Sequence, residues 1–296
     1  MVKLSDSRLM LLTGVASVFT AVVLISVKLV AWYMSGSVAI LASLVDSLMD
    51  AAASLVNLLA IRYSLMPADD EHRFGHGKAE ALAGLAQATL ITLSALYLLN
   101  EAIDRLLNPV ALEASGVAIS VMLFSIFATV LLLRLQHYTV RRTGSTAVEA
   151  DSLHYLSDVA MNIGILLALV GASFGLLWLD GVAGLLIAAY VLRAAWQVGN
   201  QSVQLLLDRE MSAEVRQVIA SIVAEHPMAL GFHQLRTRQS GRTCFIQMHV
   251  DMDENLTLRE AHALVDSIEE RIQKHFPEAD VLIHQDPVKV SPTVPL

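Results

Sequence analysis

The sequence predicts an all-α membrane bundle of six transmembrane helices, followed by a C-terminal cytoplasmic α+β domain of αββαβ order. Three observations carry this. The 296 residues are 55% hydrophobic and only 16% charged, against roughly 25% charged in soluble domains, and mean hydropathy is +0.58. The charges are segregated: residues 1–207 carry 11 Lys+Arg and 14 Asp+Glu, whereas the 89 residues 208–296 carry 9 and 14. The last part also alternates in the way of short strands. Together these exclude a disordered chain, a collagen-like chain and an ordinary soluble enzyme. Both parts are net negative, so no nucleic-acid partner is expected. The single Cys244 excludes an internal disulfide and a Cys-rich metal site. The first apolar run is too long and wrongly flanked for a cleaved signal peptide.

A span takes about 20 apolar residues. Six segments qualify, near Leu9–Tyr33, Val38–Leu65, Ala79–Leu107, Gly116–Tyr138, Ala147–Phe174 and Leu177–Leu205. The very short joins at 34–37 and 175–176 make antiparallel hairpins of segments one and two and of five and six. Lys3, Arg8, Arg62, Arg73, Lys78, Arg141, Arg142 and Arg209 all fall on one side, and the loops 34–37, 108–115 and 175–176 hold no Lys or Arg. The positive-inside rule then places both termini in the cytoplasm. Arg105 is the exception, with Glu101 and Asp104 near enough to pair with it.

The expected domains are 1–207 for the spans, 208–290 for the cytoplasmic part and 291–296 for a flexible tail. Within the second, Ser212 and Glu214 open a helix that stops at Pro227. Leu230–Arg238 and Thr243–Asp251 alternate around the Gly241 turn. Thr257 and Glu260 form a capping box for a helix ending near Phe276, and Val281–His284 makes the third strand. Cys244, Ile246, Met248 and Val250 are expected in its core. His249 shares the opposite face with Phe245, Gln247 and Asp251.

The chemistry lies in ionisable residues where charge is expensive. Asp46 and Asp50 are four apart in segment two, and His154 and Asp158 are four apart in segment five. Residues at i and i+4 share a helix face. A charged carboxylate at the bilayer centre costs a few kcal/mol even on the mildest scale, so the four are expected to converge and to need a cation or proton. One nitrogen and three oxygens suit Zn²⁺ and tolerate Cd²⁺, Fe²⁺ or Mn²⁺, but not Cu⁺. A lone membrane Asp would instead be a helix-to-helix hydrogen bond; two such faces on different spans argue against it. Asn57, Gln87 and Asn162 are expected to hydrogen-bond between helices, and Arg193 with Gln197 to form a polar stripe.

Two further clusters lie outside the spans. Asp69, His72 and His76 follow segment two in a run containing Gly75 and Gly77, and either close around Zn²⁺ or form a solvated polar loop. His233, His249, His262, His284 and Asp286 lie in the C-terminal domain, where each alone would read as a surface residue. His137, His226 and His275 join no constellation. HExxH, GxSxG and GxxxxGK[ST] are missing, so neither a zinc protease nor an ATP-driven motor is encoded.

Taken with the strings Ser43–Ser47, Phe74–Glu80, Glu149–His154, Leu207–Glu210 and Ile283–Pro287, these features resemble the cation diffusion facilitator family over nearly the whole chain. The resemblance implies a homodimeric divalent-metal/proton antiporter of the bacterial inner membrane, with a ferredoxin-like, metallochaperone-like cytoplasmic domain. It implies a transport site at Asp46, Asp50, His154 and Asp158, with His154 and Asp50 coupling to protons. It also implies a loop zinc site at Asp69, His72 and His76, and a two-metal site at His233, His249, His262, His284 and Asp286 with Asp286 bridging. Lys78 and Asp208 match a pair that holds the dimer together, and Leu153 matches a hydrophobic gate. Zn²⁺ is expected as cargo and as structural or regulatory metal. The competing expectations are a non-transporting membrane metal sensor or scaffold, which would not need the membrane carboxylates, and a Na⁺/H⁺ exchanger, which would leave the histidines unexplained.

Overall fold

The computed structural model describes residues 5–36, 38–108, 116–174, 176 and 178–289. Among the described residues, six helices are long and apolar enough to cross a membrane: α1 (Asp6–Ser35), α2 (Val38–Ser64), α3 (Lys78–Leu107), α4 (Gly116–Thr143), α5 (Thr146–Ser173) and α6 (Leu179–Leu206). Each forms where the expected apolar run lies. Phe19, Tyr97, Phe127 and Trp196 point outward, each more than half exposed. Outward apolar side chains over internally bonded helices are what a bilayer requires. Lys3, most of the loop 108–115 and the tail 291–296 lie outside the described residues.

The bundle is stitched by polar as well as apolar contacts. Ala88, Ile91 and Ala95 of α3 meet Ala150 and Leu153 of α5 and Val191, Ala195 and Val198 of α6. On the other side α1 packs on α2 and α4, and α5 on α4 and α2. Asn57 Nδ2 donates to the Ala147 carbonyl at 3.1 Å, joining α2 to α5. Asn162 instead donates to the Asp158 carbonyl on its own helix, because a short amide one turn along finds that carbonyl first. Arg105 pairs with Glu101 at 2.9 Å and with Asp180 of α6 at 3.5 Å. Asp104, the other expected partner, accepts from Asn108.

The chain divides into two compact units, Met1–Val203 and Gln204–Leu296. The second holds α7 (Ala213–Ala224), β1 (Gly231–Ser240), β2 (Thr243–Asp253), α8 (Leu258–His275) and β3 (Ala279–Val288). β1 and β2 are antiparallel, and β3 joins β2 in parallel. Ile246, Met248 and Val250 of β2 are buried under Ile219 and Val223 of α7 and Leu264, Ile268 and Ile272 of α8. Each such side chain contributes about 1.5–3 kcal/mol by leaving water. The Thr257–Glu260 capping box closes in both directions. Cys244 is only half-buried, since it lies at the end of the core row. Phe245, expected on the open face, is buried under the Arg238 guanidinium, 4.3 Å from its ring centre.

Candidate metal centre

In the membrane unit α2 and α5 bring Asp50, His154 and Asp158 together, one ligand atom from each lying within 4.8 Å of the others. His154 Nε2 shares a 2.8 Å hydrogen bond with Asp50 Oδ1 and stands 4.0 Å from Asp158 Oδ2. A tetrahedral ion with bonds of about 2.0–2.1 Å separates its donors by roughly 3.3–3.5 Å, so sub-ångström shifts convert this cluster into a ligand set. All three side chains are largely buried. Asp46 is not drawn in: its residue is exposed, one turn nearer the start of α2. Leu153 is buried in the α3–α5–α6 core.

Two features beside this cluster were not foreseen. Lys28 of α1 is buried and donates to Ser47 Oγ at 2.6 Å and to the Ser43 carbonyl at 3.1 Å, both on α2. It is the one charged residue between Arg8 and Asp46, and that isolation was the available signal. Asp151, one turn before His154, is also buried. Its carboxylate accepts from Gln136 of α4 at 2.8 Å and from Ser54 of α2 at 3.2 Å. Gln136 reaches Ser17 of α1, and Tyr155 joins Ser54 and the Ser17 carbonyl. Four helices thus meet at one hydrogen-bonded knot.

The loop after α2 gathers Asp69, His72 and His76. His72 Nδ1 is 3.4 Å and His76 Nε2 is 3.3 Å from the Asp69 carboxylate, which are tetrahedral donor spacings. Gly75 at φ 77° reverses the backbone between the histidines, a conformation open to glycine, whereas Gly77 is right-handed at the start of α3. The amides of His72 and Glu71 donate to Asp69 and hold its carboxylate below its ordinary range, with smaller help from both imidazoles. His76 is buried, and its Nδ1 is an enclosed polar atom with no hydrogen-bond partner. Nε2, the nitrogen that faces Asp69, is the one a metal ion held by this triad would take.

In the second unit the sheet register does the positioning. His233, His249 and His284 are direct neighbours across β1, β2 and β3, and Gly231, Asp251 and Asp286 form the row beside them. Asp286 is 2.8 Å from His249 Nδ1 and 3.3 Å from both His233 and His284. The hydrogen bond with His249, then the nearby imidazoles, hold Asp286 below the ordinary carboxylate range. Asp251 adds a second carboxylate 3.5 Å from His233. A Cβ on Gly231 would lie 2.8 Å from Asp251 Oδ2, so glycine there leaves room for that side chain. His262 is not part of the group: it is exposed on α8 and pairs with Asp266 at 3.5 Å. Lys78 opens α3, and Asp208, at φ 55°, accepts from Arg238 at 3.3 Å.

All three clusters offer nitrogen and oxygen donors without sulfur, which fits Zn²⁺ and its borderline neighbours.

Comparison with known proteins gives the family and its two domains. The cation efflux transmembrane domain matches residues 14–207, and the cytoplasmic domain of cation efflux proteins matches residues 211–288. The cation-efflux pump FieF of Shewanella oneidensis is 50% identical over 278 residues, covering 94% of each chain. The FieF pumps of Serratia proteamaculans and Klebsiella pneumoniae are each 49% identical, over 97% of this chain and 95% and 96% of theirs. A chain of CzrB solved in its zinc form is 29% identical over 27% of this chain and 92% of that one, with a TM-score of 0.26. The chain therefore belongs to the cation efflux family, the cation diffusion facilitators, and is a multi-pass membrane transporter rather than an enzyme.

Proposed function

We propose that the chain exports divalent metal, Zn²⁺ foremost and Cd²⁺ and Fe²⁺ by the same donors, from the cytoplasm in exchange for protons. The observation that carries this is the mid-span cluster of Asp50, His154 and Asp158 on two facing helices. Asp46, one turn away on the same face of α2, completes a four-donor set when a small shift of α2 draws it in. Metal needs neutral imidazole and ionised carboxylates, so an arriving ion displaces protons, and protons arriving from the far side displace the ion. His154 and Asp50, which already share a hydrogen bond, are the pair through which that exchange runs. Helices α2 and α5 belong to different hairpins, so rocking one against the other opens the cluster to either side, the motion of alternating access. Leu153 gates the approach beside it.

The loop triad of Asp69, His72 and His76 and the sheet cluster of His233, His249, His284 and Asp286 hold resident Zn²⁺ at the cytoplasmic side, with His262 brought in only by rearrangement. The cytoplasmic domain, residues 208–290, dimerises, and Lys78 and Asp208 lock the two copies near the membrane surface. A location in the bacterial inner membrane is supported by the helical bundle, since outer-membrane spans are barrels. Basic residues clustered at one set of helix ends support cytoplasmic placement of both termini. Zn²⁺ flux into proteoliposomes carrying an internal metal-sensitive dye tests this. Asp50→Ala and His154→Ala each should reduce flux by roughly a hundredfold or more, in line with loss of a metal ligand and its charge. Undiminished flux in both would reject the assignment.

A further inference from the structure

A cycle run by Asp50, His154 and Asp158 leaves unexplained a buried charge on α1, the ammonium of Lys28. A lysine within a span ordinarily snorkels toward the nearer interface. Lys28 does not: its residue is 9% exposed and Nζ donates to Ser47 Oγ and the Ser43 carbonyl of α2. Ser47 lies on the chain between Asp46 and Asp50, so these two bonds fix the charge beside the acidic face. Burial works against the charge on Nζ, and the carboxylates of Asp46, Asp50 and Asp158 work for it, Asp46 most among the three. An ammonium has no lone pair, so Lys28 is no ligand.

Its part follows from charge balance. Three carboxylates around a divalent ion leave one negative charge over, and a net charge is costly inside a bilayer. We propose that Lys28 is a fixed, non-ligating member of the transport site that makes the metal-loaded site electrically neutral. The inference rests on the transport-site assignment above. Asp151, the other buried carboxylate on that face of α5, is held by the neutral donors Gln136 and Ser54 and stands outside the ligand cluster, so the balance here is that of the ligand carboxylates, the ion and Lys28. The price of neutrality is weaker capture: a cation beside the site repels the incoming ion. Lys28 therefore trades affinity for speed, because the neutral loaded site crosses between open states more readily than a charged one.

Initial rates of Zn²⁺ uptake in proteoliposomes, measured against Zn²⁺ concentration, test this with three variants. Lys28→Gln keeps a donor for Ser43 and Ser47 without the charge. Lys28→Met removes both, and Lys28→Arg keeps the charge. Both neutral variants should lower the half-saturating concentration by roughly fivefold or more as repulsion is lost, while the maximal rate falls. Lys28→Arg should stay near the wild type on both counts. A purely structural lysine gives the opposite split: half-saturation unchanged or raised together with a lower maximal rate, and that result overturns the proposal. If Lys28→Met does not fold, Lys28→Gln decides alone. Asp50→Ala, run alongside, separates the two failures. Flux that survives it overturns the site itself. Flux that dies in it while Lys28→Gln keeps wild-type half-saturation overturns only the role of Lys28.

Discussion

The membrane cluster and the sheet cluster use the same side chains and differ in what holds them. Asp50 comes from one helix and His154 and Asp158 from another, joined there by the 2.8 Å hydrogen bond of His154 with Asp50, and the bonds made below it by Ser54 and Asn57 of α2 are likewise side-chain bonds. His233, His249, His284 and Asp286 sit on three strands tied by ladders of backbone bonds, interrupted by a bulge just after His233. Two helices can slide or tilt past each other by exchanging side-chain contacts. A ladder cannot shift without breaking its bonds or slipping register, which turns every side chain to the other face. Donors on the helices can therefore gather and part, as transport needs, while donors on the sheet stay assembled, as a resident ion needs.

The comparison breaks most visibly in flux. Asp286→Ala should leave Zn²⁺ transport within roughly tenfold of the wild type, as expected for a group that shapes stability or dimer contacts, whereas Asp50→Ala abolishes it. Equal loss in both would show that the sheet cluster is part of the conduction path. In thermal unfolding the order reverses. Added Zn²⁺ should raise the melting temperature of the C-terminal domain in the full chain, through binding that favours the folded state, and Asp286→Ala should remove that rise.

A pH series sharpens the same point without metal. The folded-state value of Asp286 lies below its ordinary value because His249 bonds it and three imidazoles surround it. The stability it contributes is therefore fully present above the unfolded carboxylate value of about 3.9. It is lost as pH falls through the lower folded value. In EDTA, the stability difference between wild type and Asp286→Asn should hold steady above about pH 4 and shrink below it. A difference that grows on acidification would contradict the contacts. The smallest effect expected is local: Thr257→Ala removes the N-terminal cap of α8 and should cost about 1 kcal/mol in chemical denaturation, with no change in metal transport.

The spans, the order αββαβ and the i, i+4 pairs were legible because period and hydrophobicity are local properties. How far each helix turns toward its neighbour is not local, and there the sequence was silent. Asp46 shares a face with Asp50, yet the rotation of α2 leaves it outside the cluster. Lys28 reaches the acidic face from α1, a contact set by helix packing and by a long side chain. The knot around Asp151 joins Ser17, Ser54 and Gln136, residues that a hydropathy pattern records only as small interruptions. In the sheet, the bulge between His233 and Arg236, with Gln234 at φ 50°, was unreadable in advance. His262 belongs by residue type with the strand histidines of its domain, and the folded α8 holds it beside Asp266 instead.

The central claim, that Asp50, His154 and Asp158 jointly hold the cargo, is tested most directly by X-ray absorption on the full chain with one bound Zn²⁺. His72, His76, His233, His249 and Asp286 are first replaced by alanine so that only the membrane cluster can bind. The account predicts nitrogen and oxygen neighbours at about 2.0–2.1 Å with the scattering pattern of a single imidazole, which His154→Ala removes. Imidazole scattering that persists in His154→Ala would contradict it.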